Sequence, residues 1–277
     1  MTDTHPAPFA ETVIAGVQAA VASTLTCEAA PVQLALRLLL SGQQMPIRAL
    51  VSCSLHSGQA GIDAGTALDL IHISLQRLHA HVDATGGASA LLGNAATVLA
   101  GDYLSTGAFR LLVRGANLQV LALVSDAVSR VAELEATHLS RVRGSGDDPA
   151  LWLRTRQRLA VPLGEAAGAA GAILAGYPDP LADVARRYGK ALVASQVLLQ
   201  EADAMGSFET LTALQGAALD LCRQATHHAR AIAMATGNAR PLELVELSMA
   251  NIDAVCLEPM TNTFPHTKKD PSEDCTL

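Results

Sequence analysis

Ala67-Leu68-Asp69-Leu70-Ile71-His72-Ile73-Ser74-Leu75-Gln76-Arg77-Leu78-His79-Ala80-His81-Val82-Asp83 reads as one amphipathic helix. Leu68, Ile71, Leu75, Leu78 and Val82 recur at spacings of three and four, which lays an apolar stripe along one face. His72, Gln76, His79 and Asp83 follow the same spacing on another face. Taken alone, that pattern describes an ordinary helix with a solvated polar side. Outward from this stretch the same period runs along nearly the whole chain. It predicts helices near 9–26, 31–41, 46–57, 62–82, 90–115, 117–142, 148–176, 180–206, 208–236 and 241–259. The breaks fall at Ser41-Gly42, Ser57-Gly58, Thr85-Gly86-Gly87, Arg143 through Pro149, and Tyr177-Pro178-Asp179-Pro180, where turn residues cluster. No alternating run bounded by hairpin turns suggests a strand. The expected fold is all-α.

Composition agrees. Half of the 277 residues are hydrophobic and only 3% are aromatic, with Ala and Leu, both strong helix formers, dominating. A formal charge of -7 argues against a nucleic-acid partner, which needs a basic face. Lys190, Lys268 and Lys269 are the only lysines, so arginine supplies sixteen of the 19 basic residues. One lysine in the body suits the chain poorly to gripping several phosphates at once. The five cysteines form no CxxC pair, which points to reduced thiols rather than a zinc site or a disulfide framework. Met1 to Phe9 lacks the basic and apolar regions of a secretion signal, and no run of about twenty apolar residues suggests a membrane span. A cytoplasmic protein is expected. From Thr261 onward the residues are too polar to bury a core, so the chain divides into a helical domain over 1–260 and a flexible polar tail over 261–277.

A second stretch carries more than periodicity. Gly93-Asn94-Ala95-Ala96-Thr97-Val98-Leu99-Ala100-Gly101-Asp102-Tyr103-Leu104 resembles the Gly-Asn-x-x-Ala-Val-Leu-Ala-Gly-Asp-x-Leu helix of the trans-isoprenyl diphosphate synthases, the polyprenyl synthetase family. Asp69-Leu70-Ile71-His72 is similar to the Glu-Leu-Ile-His that precedes the family's first acid motif. Gly171-Ala172-Ile173-Leu174-Ala175-Gly176 matches a helix ending of the family, and Gln196-Val197 resembles the Gln-Ile before its second acid motif. The likeness covers roughly residues 33–206. It implies an isoprenoid-synthase-type bundle of about ten helices around a central cavity, with the polar stripe facing inward.

The departures carry the functional expectation. Enzymes of this family bind magnesium and an allylic diphosphate through two Asp-Asp-x-x-Asp clusters. Counting from His72, the first cluster falls on His79, Ala80 and Asp83; the second falls on Leu199, Gln200 and Asp203. Tyr188-Gly189, also family-like, implies a slip of one residue in the helix before the second cluster. Magnesium needs several hard oxygen ligands, and one Asp per wall does not supply them. Of the basic loop that binds isopentenyl diphosphate only Arg48 remains, and Leu159-Ala160 stand where a Lys-Thr pair is usual, with Arg158 adjacent.

The resemblance therefore implies a non-catalytic, regulatory or small subunit of a heteromeric prenyl diphosphate synthase. Its expected partner is an intact homologue that carries the magnesium, or a second copy of itself; no cofactor is expected for the chain alone. No catalytic residue is expected. Arg48, His72 and Gln196 are candidates to touch substrate. A metal is not expected, and His79, Asp83 and Asp203 would be its only candidates. The alternative is a divergent prenyltransferase or terpene-type enzyme, or an isoprenoid-binding protein, whose remodelled cavity is lined by His79, His81, Asp83 and Asp203. Nucleophilic catalysis finds no support, since Ser52, Ser54 and His56 lack an orienting acid. The glycines from Gly164 to Gly176 read as close helix contacts, because no strand precedes them.

Overall fold

Helices form where the apolar spacing predicts them, and their ends coincide with the turn residues. The computed structural model describes residues 8–29, 33, 45–79, 93–142, 149–202 and 208–257. Among the described residues there are nine α-helices and no strand. They are α1 (Pro8–Thr24), α2 (Ile47–Leu55), α3 (Gln59–His72), α4 (Asn94–Arg114), α5 (Leu118–Val142), α6 (Pro149–Leu174), α7 (Asp179–Ala202), α8 (Phe208–Thr236) and α9 (Arg240–Leu257). α3 runs without a break into a π-helical segment, Ile73–Leu78. The all-α expectation is met. The helix expected over 31–41, the break at Thr85-Gly86-Gly87 and the polar tail lie outside the described residues.

Local chemistry explains the boundaries. Asn117 Oδ1 accepts the N–H groups of Gln119 and Val120, each at 3.0 Å, and so opens α5. α6 closes on Gly176 at φ 68°, a conformation that costs glycine little. There the Tyr177 N–H reaches the Ala172 carbonyl at 3.0 Å and the Gly176 N–H reaches Ile173 at 3.1 Å, which satisfies the last carbonyls before Pro178.

α2 is the centre of the molecule. All nine of its residues are buried, including Arg48, Ser52 and Ser54, and α3, α6, α7 and α9 pack around it. α6 and α7 form the most extensive helix pair. Gly164, Gly168 and Gly189 line their seam: a Cβ on Gly168 would collide with the Ala185 carbonyl, and one on Gly189 with the Gly164 carbonyl. Backbone thus meets backbone, as expected for this glycine-rich stretch. Pro162 lies inside α6 and has no N–H to give the helix ladder. One turn back, the Leu159 carbonyl accepts a hydrogen bond from Gln76 Nε2 at 3.0 Å. No helix among the described residues is long and apolar enough to cross a membrane.

Candidate functional site

The first turn of α2 leaves N–H groups without helical partners, and a neighbouring helix satisfies two of them. Asp69, on α3, accepts the Arg48 N–H at 3.3 Å and the Ala49 N–H at 3.0 Å. The same carboxylate takes the Arg48 guanidinium at 3.2 Å. Burial is the largest influence on both groups: it pushes the Asp69 carboxyl up and the Arg48 guanidinium down, and their mutual attraction opposes each shift. Arg48 is only 2% exposed, yet its Nε and Nη2 have no hydrogen-bond partner among the described residues.

Polar groups continue from there. His72 is 6% exposed; the Gln76 side chain is its polar neighbour, and neither ring nitrogen makes a well-formed hydrogen bond among the described residues. Burial, reinforced by the positive charges of Arg48, Arg77 and Arg156, holds its imidazole well below the usual histidine range, so the ring is neutral at pH 7. Gln76 and Gln196 are also buried, and Gln196 Nε2 lacks a partner among the described residues. The polar stripe of the 67–83 stretch therefore faces inward at His72 and Gln76, not toward solvent. Unsatisfied buried donors near three arginines suit an anion and repel a cation.

Beyond Gln76 the stripe breaks. Ser74 and His79 both face α4: Ser74 Oγ donates to the Gly101 carbonyl at 2.7 Å, and His79 Nε2 lies 3.3 Å from both the Val98 carbonyl and Asp102 Oδ1. In an α-helix side chains five apart point about 140° apart, whereas the wider turn of a π-helix, bonded i to i+5, brings them much closer to one face. The expectation that His79 shares the face of His72 and Gln76 is corrected by this turn.

At the second wall Leu199 is buried in the hydrophobic core, and Gln200 is half-buried. Ala80, His81, Asp83 and Asp203 lie outside the described residues. Arg158 is exposed, while Leu159 and Ala160 are buried, so no cation enters where the family places Lys-Thr. Among the described residues, a core leucine and a histidine engaged with α4 stand at the leading motif positions, and neither is a hard oxygen ligand of the kind magnesium takes. Among the described residues no three His, Cys, Asp or Glu side chains are grouped to hold a metal ion.

Of the three substrate candidates, Arg48 and His72 come within each other's electrostatic reach, and Gln196 is buried on α7. Sequence reasoning misses Asp69 as the partner of Arg48, because 21 residues separate them and no helical spacing connects α2 to α3. Nor does it single out Arg156 and Arg77, whose charges reach His72.

Comparisons with known proteins agree with this architecture. No family model matches the chain. It is 33% identical to the octaprenyl diphosphate synthase of Haemophilus influenzae over 142 residues, 49% of the chain and 43% of that protein. It is 29% identical to the octaprenyl diphosphate synthase of Escherichia coli over 191 residues, 65% of the chain and 59% of that protein. The chain thus spans about half the length of the curated relatives it matches. Among solved structures, a decaprenyl diphosphate synthase from Rhodobacter capsulatus superposes with a TM-score of 0.72 at 18% identity, covering 88% of this chain and 97% of that one. A Caulobacter crescentus polyprenyl synthase, complexed with calcium and isoprenyl diphosphate, gives 0.67 at 22% identity and covers 86% and 95%. A geranylgeranyl pyrophosphate synthetase from Pyrococcus horikoshii gives 0.71 at 13%, covering 88% and 97%. In its local sequence matches and its all-α fold, the chain is similar to the trans-isoprenyl diphosphate synthases.

Proposed function

We propose that this protein is a non-catalytic subunit of a heteromeric prenyl diphosphate synthase in isoprenoid biosynthesis. One observation carries the reading. At the leading position of each motif, the side chain is not an acid and is engaged elsewhere: Leu199 belongs to the hydrophobic core and His79 rests on α4. Ionisation of an allylic diphosphate needs charge stabilisation that these groups do not give. The outer side of α4 and the start of α5 supports pairing, since Leu99, Val113 and Leu118 are 64%, 66% and 78% exposed and leave apolar surface to be covered. An intact homologue would then supply magnesium and chemistry, and this chain would shape the assembly.

The test is an assay of the chain alone and mixed with an intact family member, such as the Escherichia coli octaprenyl diphosphate synthase, with magnesium and allylic substrates. The expected result is no turnover alone, and a complex whose product length or rate differs from that of the homologue by itself. Turnover by the purified chain sinks the proposal. A second reading, an isoprenoid-binding protein or a divergent enzyme using the same interior, is favoured by the unpartnered donors of Arg48, His72 and Gln196. A co-purified isoprenoid, identified by mass spectrometry, would support it over the first.

A further inference from the structure

The π-segment is held from two sides. Toward α4, the Ser74 hydroxyl donates to the Gly101 carbonyl, which leaves the Ser105 hydroxyl, 2.8 Å away, to donate to Ser74. The His79 ring lies on Gly101, where a Cβ would collide with it, and reaches Val98 and Asp102. Toward the interior, Gln76 is tied to the Leu159 carbonyl of α6. On the same turns of α4, Val98, Leu99 and Asp102 face outward. The turns of α4 that present apolar surface therefore also grip the wall of the polar site.

A run of π-helix is rare, because its bonds are less favourable than those of the α-register, so tertiary contacts must hold it. We infer that Ile73–Leu78 is a register switch coupling the outward face of α4 to the polar interior. With Ser74 and His79 latched on Gly101 and Ser105, the segment keeps the π-register and Gln76 stays on α6. When the latch is released it relaxes toward the α-register, which turns the residues beyond it by about 100° and re-aims Gln76 and His79. Two discrete packings of one element are what transmission between sites requires. The biological trigger, a partner seated on α4, rests on the pairing role proposed above; the latch itself does not.

Hydrogen exchange of the purified chain tests the latch. Ser105→Ala removes one of its hydrogen bonds, and Gly101→Ala drives the His79 ring away. Thr106→Ala is the control, since this exposed hydroxyl bonds only the Asp102 carbonyl of its own helix, at 2.9 Å. Amides 74–79 should exchange about tenfold faster in both latch variants and as in wild type in the control, with α7 equally protected in all. Unchanged exchange over 74–79 in folded Ser105→Ala overturns the switch, even if Gly101→Ala fails to fold. Adding the Escherichia coli octaprenyl diphosphate synthase separates the two proposals. Protection of α4 with altered exchange over 74–79 supports the coupling, and protection without it overturns the coupling. Absence of a complex removes the pairing role alone, and the switch then stands or falls on the two latch variants.

Discussion

The two ends of α2 lie a few turns apart in the same core and solve opposite problems. At the C-terminal end the groups are neutral and, Ser52 Oγ apart, partnered: Ser54 Oγ donates to the Val51 carbonyl at 2.7 Å, Tyr188 Oη lies 3.3 Å from Ser54 Oγ, and Asn238 Nδ2 donates to the Ser54 carbonyl at 2.7 Å. At the N-terminal end a charged pair is buried, and Arg48 and His72 keep donors without partners among the described residues. Buried polar atoms are ordinarily satisfied. The end that combines buried charge with unpartnered donors is the end where a ligand could act, and the neutral end is scaffold.

Removing one partner at each end measures that contrast. Asp69→Ala strands the Arg48 guanidinium in the core and should cost about 3–5 kcal/mol in urea or guanidinium unfolding. A loss below that of an ordinary core substitution would mean that water reaches Arg48, and the two ends would no longer differ in kind. Acid should act next, and of the two ends of α2 it should act on the N-terminal one. The unfolded chain takes up a proton on residue 72 near pH 6.5, whereas folded His72 stays neutral, so the unfolded state binds more protons and stability falls as pH drops below that point. The slope is at most about 1.4 kcal/mol per pH unit. Half-buried His228, lowered by burial and by His227, adds in the same direction. His72→Gln should flatten the difference between unfolding midpoints at two pH values either side of that point; an unchanged difference would take His72 out of the account. Tyr188→Phe, at the scaffold end, removes two long hydrogen bonds of 3.3 and 3.4 Å and should cost no more than about 1 kcal/mol. Leu99→Ser, on the exposed side of α4, should move stability by less than about 0.5 kcal/mol. The same substitution should abolish co-purification with an intact homologue, and retention of the complex would place pairing elsewhere.

The scaffold is legible in the sequence because helices advertise themselves locally. The Leu68, Ile71, Leu75, Leu78 stripe, the Asn117 cap and the Gly176-Tyr177-Pro178 stop are written within a turn or two of where they act. Family resemblance then supplies the bundle and points the His72 stripe inward. The site is legible only in part. Arg48, His72 and Gln196 stand out as residues, but the bond between Arg48 and Asp69 joins two helices and leaves no periodic trace. His79 falls on the wrong face because a template of 3.6 residues per turn cannot register a π-turn held by Ser74, Gly101 and Ser105. Arg156 looks like any helix-surface charge until α6 is packed beside α3.

The glycine seam between α6 and α7 has a bearing on covalent continuity. Contact between the two backbones extends along much of both helices, so the short turn through Tyr177 and Pro178 contributes little to holding them together. The chain should accept a break there: two pieces, divided between Tyr177 and Pro178 and produced in one cell, should find each other and rebuild the bundle. A divided version of this kind would report assembly of the core directly, with each half carrying its own label.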